Sequence, residues 1–283
     1  MRLNLKRPIS FVIIALVYIF ASVIGVITFN TLNFDLWLNL LIADVVATAV
    51  TFIFSLIFSN ASVYDPYWSV QPLVITALLA LSFKPTLMAI IMIVVVFIWG
   101  IRLTANWAYT FKGMAHQDWR YTMLNEKTGV FYPLINFLGI HLFPTLVVYA
   151  CVLPVVYAIT LGIEFNALSL SCVFVSIGAV VLQLVSDCQM QAFRNNRTSN
   201  FINVGLWKYS RHPNYLGEIL MWWGMALCFV CAKPDMWYLA SGAVINTLMF
   251  LFVSIPMADK RQAKKEGFSQ YKSSTRMLLP IKK

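Results

Sequence analysis

Arg211, His212, Asn214, Tyr215 and Glu218 crowd into one short run, Gly205-Leu206-Trp207-Lys208-Tyr209-Ser210-Arg211-His212-Pro213-Asn214-Tyr215-Leu216-Gly217-Glu218. The run stands where a polar segment gives way to an apolar one. Pro213 suits the first turn of a helix, because it has no N–H to leave unpaired. The unpaired N–H groups and positive dipole end of that helix, with Arg211 beside them, have the chemistry of an anion site. Asn214 and Glu218 are four residues apart and share a helix face. A carboxylate one turn inside an apolar helix is costly and is a functional candidate by default. A plain interfacial cap, with Arg211 on headgroups and Trp207 and Tyr209 in an aromatic belt, covers part of this run. It leaves Glu218 unexplained. His212 fits either a phosphate contact or a helix cap.

Three further clusters have chemical potential. Gln183, Asp187 and Gln191 are spaced by four and form one polar stripe on an apolar helix, followed by Arg194 and Arg197. Asp187 suits either a structural pair with Arg102 or Arg194, or a pocket wall that meets ligand hydroxyls. In Tyr64-Asp65-Pro66-Tyr67-Trp68-Ser69-Val70-Gln71-Pro72, Asp65 and Tyr67 supply a carboxyl and a phenol that can polarise a carbonyl and deliver a proton. The same stretch also reads as an aromatic interface loop. Trp99-Gly100-Ile101-Arg102 ends an apolar run, and Asp118-Trp119-Arg120-Tyr121 follows in the next polar segment. Asp44 is a lone acid in an apolar run, and the pattern gives it no role. The three histidines are dispersed, so no metal site is expected. The five cysteines lie in or beside apolar runs and read as small hydrophobes rather than a disulfide or redox set.

The elements that must position these groups are set by composition. Hydrophobic residues make up 60% of the 283 and charged residues 11%, against about 45–50% and 25% in soluble domains. Mean hydropathy is +0.76. This excludes a soluble domain, disorder and a disulfide scaffold, and defines an all-α, polytopic membrane bundle. Apolar runs at 9–29, 36–58, 86–103, 137–161, 168–190, 215–231 and 236–257 predict seven spans. A weaker run at 73–83, extendable to Trp68, predicts an eighth and makes seven the fallback. The N-terminal stretch after Arg2, Lys6 and Arg7 resembles a signal peptide without a cleavage site and is expected to be an uncleaved first helix. With eight spans, every Lys and Arg except Lys84 and Lys233 falls on one side, which the positive-inside rule makes cytoplasmic. Both termini and the opening of the active site are then expected on that side, in the plasma or inner membrane of a bacterium. The net charge of +10 is therefore a matter of topology and lipid headgroups, not nucleic acid. One membrane domain, 1–283, is expected, with a variable part at 1–59. No protein partner is predicted.

The 205–218 run is similar to the signature of the steroid 5-alpha-reductase C-terminal domain family. The whole chain resembles the bacterial branch of that family, a membrane family of unknown function, most strongly over 60–283. The segments Tyr64–Ser69, Trp99-Gly100-x-Arg102-Leu103, Asp118-x-Arg120-Tyr121 and Tyr271-x3-Thr275-x4-Pro280 also fit that branch. The resemblance implies NADPH buried among helices. Asn214, Tyr215 and Glu218 would line its nicotinamide and ribose, with Asp187 in the same pocket. Arg194 and Arg102 would meet its phosphates, and Gln183 stands where family members can have asparagine. Arg211 and His212 complete the expected cofactor set. Arginine suits phosphate through its planar fork, and no GxGxxG run competes for a nucleotide. The implied reaction is hydride transfer to the β-carbon of a lipophilic α,β-unsaturated carbonyl, steroid- or isoprenoid-like, in lipid metabolism. Family members hold the carbonyl with a glutamate and a tyrosine; here the nearest stretch offers Asp65, Tyr64 and Tyr67. Isoprenylcysteine and phospholipid methyltransferases share an Arg-His-Pro-x-Tyr-x-Gly run and bind S-adenosylmethionine. Their paired glutamates would fall at Asp259-Lys260, where a lysine opposes a sulfonium. That activity, or a non-enzymatic lipid-binding role, is the alternative.

Overall fold

A computed structural model describes residues 5–281. Arg2 and the final two lysines of the basic tail lie outside the described residues. Helices α1 (Arg7–Thr31), α2 (Leu36–Ile57), α3 (Tyr67–Ser82) and α4 (Leu87–Thr110) come first. They are followed by α5 (Trp119–Thr128), α6 (Tyr132–Ile135), α7 (Phe143–Leu161), α8 (Ala167–Asn195) and α9 (Pro213–Ala232). The chain closes with α10 (Ser241–Met249), α11 (Ile255–Gln262) and α12 (Phe268–Ser274). A π-helical stretch, Asn136–Leu142, joins α6 to α7, and another, Phe250–Ser254, joins α10 to α11. The protein is all-α.

Among the described residues, seven helical passages are long and apolar enough to cross a membrane. Their outward faces are apolar: Val12, Leu16, Ile19 and Phe20 on α1 are about half exposed or more. In water that surface would be a liability; in lipid it is the natural outer face. The eighth expected span exists as α3, but its 16 residues reach only about 24 Å at 1.5 Å each. That falls short of a hydrocarbon core of roughly 30 Å, so seven is the count of full-length spans. Pro72 sits inside α3 beyond its first turn, where its missing N–H leaves one intrahelical hydrogen bond unmade.

The described chain divides into two compact units. Unit 1 comprises Met1–Phe83 and Trp99–Val156; unit 2 comprises Lys84–Ile98 and Tyr157–Lys283. In unit 1, Gly100 of α4 lets the helix approach α3. A Cβ there would sit 2.6 Å from the Ser69 carbonyl and 2.8 Å from Leu73. The Ser69 and Thr104 hydroxyls bond at 2.8 Å across the same seam. Arg7 of α1 donates to the Ala108 carbonyl at 2.7 Å, answering an unpaired group at the end of α4. In unit 2, α8 and α9 pack along a seam of small residues. Cβ atoms on Gly217 and Gly224 would sit 2.8 Å from the carbonyls of Ala179 and Cys172. The Ser176 hydroxyl donates across that seam to the Met221 carbonyl at 3.1 Å.

Candidate functional site

The polar groups of unit 1 converge on α2 and α3. Asp44 lies four residues before Thr48 on α2, and Tyr67 four before Gln71 on α3, so each pair shares a helix face. Tyr67 donates its hydroxyl to Asp44 Oδ1 at 3.1 Å, and Gln71 Nε2 donates to Asp44 Oδ2 at 2.6 Å. All three are buried. They line a cavity of about 280 Å³ whose other walls come from α1, α2 and α3, including Tyr18, Val26, Leu40, Val74 and Leu78. Apolar side chains make up most of the lining, and Ser22, Asn30 and Ser82 add further polar groups. The Thr48 and Thr145 hydroxyls meet at 3.1 Å, Tyr64 bonds Thr145 at 2.8 Å, and Thr145 donates to the His141 carbonyl at 2.9 Å. This network places the aromatic rings that flank Asp44.

The expected Asp65–Tyr67 pair does not form. Asp65 instead accepts the Tyr121 hydroxyl at 2.6 Å. Its loop is tied to 114–118 by Asn60 Nδ2, which donates to the Met114 and His116 carbonyls at 2.7 and 3.0 Å. Burial pushes the Asp65 carboxyl up to about 6, against the opposing pull of Arg120 and of the Tyr121 hydrogen bond. The acid that sequence reasoning left without a role, Asp44, is the partner of Tyr67. The signal that could have found it is the matched i, i+4 polar pairs on two consecutive apolar helices.

Unit 2 gathers Gln183, Asp187, Arg194, Arg211, His212, Asn214, Tyr215 and Glu218; Arg102 belongs to unit 1. The helix start at Pro213 is as the sequence implied, with His212 as its N-cap. The preceding loop is seated on α8: Gln189 accepts the Leu206 N–H at 2.9 Å, and Trp207 donates to the Ser186 carbonyl at 3.2 Å. Gly205 is left-handed (φ +59°), and a Cβ there would strike the Gln189 amide. Glu218 is buried and accepts the Trp222 indole N–H at 3.1 Å. Asp187 is buried on α8, with Arg194 as an attractive neighbour. Gln183 is fully buried, and neither end of its amide has a hydrogen-bond partner. A buried amide of this kind is normally satisfied. These side chains are amide, carboxylate and guanidinium groups, a set able to meet hydroxyls and phosphate.

Arg211 departs from the expected phosphate contact. Its guanidinium donates to Asp259 Oδ2 at 3.0 Å, to the Thr275 carbonyl at 2.5 Å and to the Lys272 carbonyl at 3.3 Å. A buried guanidinium needs such partners to offset its desolvation, and the C-terminal segment supplies them. His212 also turns to Asp259, at 3.0 Å, and its ring stacks on Tyr215 with centroids 5.2 Å apart. Among the described residues, no group of three or more His, Cys, Asp or Glu could hold a metal ion.

Fold and sites together define a multi-pass helical membrane protein with a mostly apolar cavity and a separate polar seam. More particularly, the chain belongs to the family described as "Protein of unknown function (DUF1295)", whose model matches residues 51–275. It is similar to an uncharacterized protein, C594.04c, of Schizosaccharomyces pombe, at 27% identity over 151 residues. That match covers 44% of this chain and 43% of the yeast protein, so the chain spans under half the length of this relative. No solved structure matches the chain significantly.

Proposed function

We propose that the protein is an NADPH-dependent reductase of the carbon–carbon double bond of a lipophilic α,β-unsaturated carbonyl compound. The observation that carries this reading is the Asp44–Tyr67–Gln71 triad lining a mostly apolar cavity among α1, α2 and α3. A carbonyl oxygen brought to Tyr67 Oη would take over the one phenol proton, which Tyr67 otherwise donates to Asp44. Asp44, held by Gln71, would then have to be protonated and donate to Oη in turn. Withdrawing electrons from the carbonyl makes the β-carbon electrophilic, and the apolar walls keep water from competing. NADPH, when bound, supplies the hydride; the proton that balances it would come from Tyr67 by way of the carbonyl oxygen and end on the α-carbon. Asn214, Tyr215, Glu218, Asp187 and Gln183 would hold its nicotinamide and ribose end, and Arg194 would answer its phosphates.

A methyltransferase reading loses its acid. Asp259 is already committed to Arg211 and His212, and Lys272 Nζ lies 3.4 Å away. The reductase reading is tested by thermal unfolding of the detergent-purified protein with NADPH, NADH or S-adenosylmethionine. A ligand that binds only the folded state raises the midpoint by mass action. NADPH is expected to raise it, and Glu218→Gln and Arg194→Ala are expected to lose most of that rise. A rise with S-adenosylmethionine alone would replace the reading with methyl transfer. No rise with any of the three, together with saturable binding of a lipid enone, would favour a non-enzymatic lipid-binding role.

A further inference from the structure

We infer that Arg211, His212 and Asp259 are positioning residues, and that residues 268–277 form a strap holding the loop before α9 in the shape the cofactor site needs. The role in cofactor binding rests on the reductase reading; the strap itself does not.

Loop 201–212 is held from two sides. Gln189 and Ser186 of α8 hold one; the C-terminal segment holds the other. Arg211 N–H donates to the Arg276 carbonyl at 3.0 Å, within a parallel bridge between Ser210 and Arg276. The Ser210 hydroxyl donates to the Met277 carbonyl at 3.4 Å, and the Tyr271 hydroxyl donates to the Trp207 carbonyl. Phe201 packs against Phe268 and Tyr271, with centroids 5.5 and 5.1 Å apart. At the centre, Asp259 of α11 receives Arg211, His212 and Lys272 together. Arg211 and Asp259 are each more than nine-tenths buried.

The guanidinium uses its donors on one carboxylate and two strap carbonyls, so Arg211 reads the chain's own C-terminal segment rather than a phosphate. The contacts then run on into the site. Asp259 fixes the His212 ring, that ring stacks on Tyr215, and Tyr215 packs on Phe250 at 4.9 Å. Tyr215 is thus clamped between two rings, and the placement of the His212 ring depends on the strap. Its neighbour Asn214 and, one turn on, Glu218 ride on the same helix start. A displacement of about 1 Å in such positioning groups can cost on the order of a hundredfold in function.

The test uses the full-length protein in detergent and two readouts. Asp259→Asn keeps the shape of the side chain but removes its charge. A second variant adds Ser210→Cys and Arg276→Cys to it; a bridged pair on neighbouring extended segments lies within disulfide reach. Backbone hydrogen exchange over 201–218 reports the strap whether or not a nucleotide binds. Faster exchange in Asp259→Asn, restored by oxidising the engineered pair, is the expected result; unchanged exchange overturns the strap. NADPH affinity reports the positioning. It should weaken at least about tenfold in Asp259→Asn and recover when the pair is oxidised. Weakening without recovery, while exchange is restored, would mean that Asp259 or Arg211 acts on the ligand directly, and would overturn positioning. Absence of NADPH binding in the unaltered protein would remove the reductase reading and leave the strap to be decided by exchange alone.

Discussion

The two polar regions are built in opposite ways. In unit 1, Asp44 is the one carboxylate lining an apolar cavity, held by neutral donors, a phenol and an amide. In unit 2, Asp259 is surrounded by Arg211, Lys272 and His212 and tied to a segment of backbone. A carboxylate held by neutral donors keeps the capacity to act on a carbonyl ligand. One held by cations is committed to architecture, because releasing it strands buried charge. The same residue type therefore lines an apolar cavity in one unit and forms a structural hub in the other. Glu218, which accepts the neutral Trp222 indole N–H, resembles Asp44 in this respect more than Asp259.

The sharpest way to break this contrast is at Tyr67. Tyr67→Phe removes the hydroxyl and keeps the ring, and enone reduction is expected to fall about 10²- to 10³-fold, the range for a lost acid or oxyanion donor. NADPH stabilisation of the protein should be unchanged. A parallel loss of both would mean that the phenol supports folding rather than chemistry. Next in size is Gly217→Ala. Its methyl would press on the Ala179 carbonyl, and forced overpacking costs about 1–3 kcal/mol. Unfolding titration should show that loss, accompanied by weaker NADPH binding and unaltered lipid binding in unit 1.

Asp65 sharpens the comparison from a third side, as an acid held by the Tyr121 hydroxyl with Arg120 as an attractive neighbour. Its carboxyl titrates near 6 in the folded protein and near 3.9 unfolded. The native state thus keeps a proton that the unfolded chain has released. The stabilisation is present in full below about pH 4 and is lost as pH rises through about 6. An effect on the order of 3 kcal/mol is expected between those limits. Asp65→Asn should flatten it while leaving enone turnover near that of the unaltered protein. The smallest effect is assigned to Ser69→Ala, which removes the bond to Thr104 at the Gly100 seam. A loss of about 1 kcal/mol is expected in thermal unfolding, with both ligand-binding readouts intact.

The sequence carried the bundle and most of its span boundaries, because an apolar run of bilayer length satisfies its own backbone groups in lipid by forming a helix. It also carried the start of α9, through Pro213 and the polar run before it. What it hid were partnerships across long separations. Asp44 and Tyr67 stand 23 residues apart and Arg211 and Asp259 stand 48 apart. No local pattern says that their helices meet. Proximity in sequence made Asp65 the natural partner of Tyr67, but the turn between them directs Asp65 to Tyr121. Arg211 looked like an anion ligand because every feature of a helix start favours one; the counter-charge lay in the C-terminal region. The π-helical stretch around His141 had no counterpart in the residue pattern.

The central claim is the proposal that Tyr67 and Asp44 hold and activate a lipid carbonyl. It is tested most directly by incubating the purified protein with NADPH deuterated at the transferable position and a panel of lipid enones: a 3-oxo-4-ene steroid, a polyprenyl enal and a long-chain 2-enal. The products are then analysed by mass spectrometry. The account predicts a saturated product with one deuterium on the former β-carbon, formed by the unaltered protein and lost in Asp44→Asn and Tyr67→Phe while both variants still bind NADPH. Deuterium transfer that survives in both variants would contradict it.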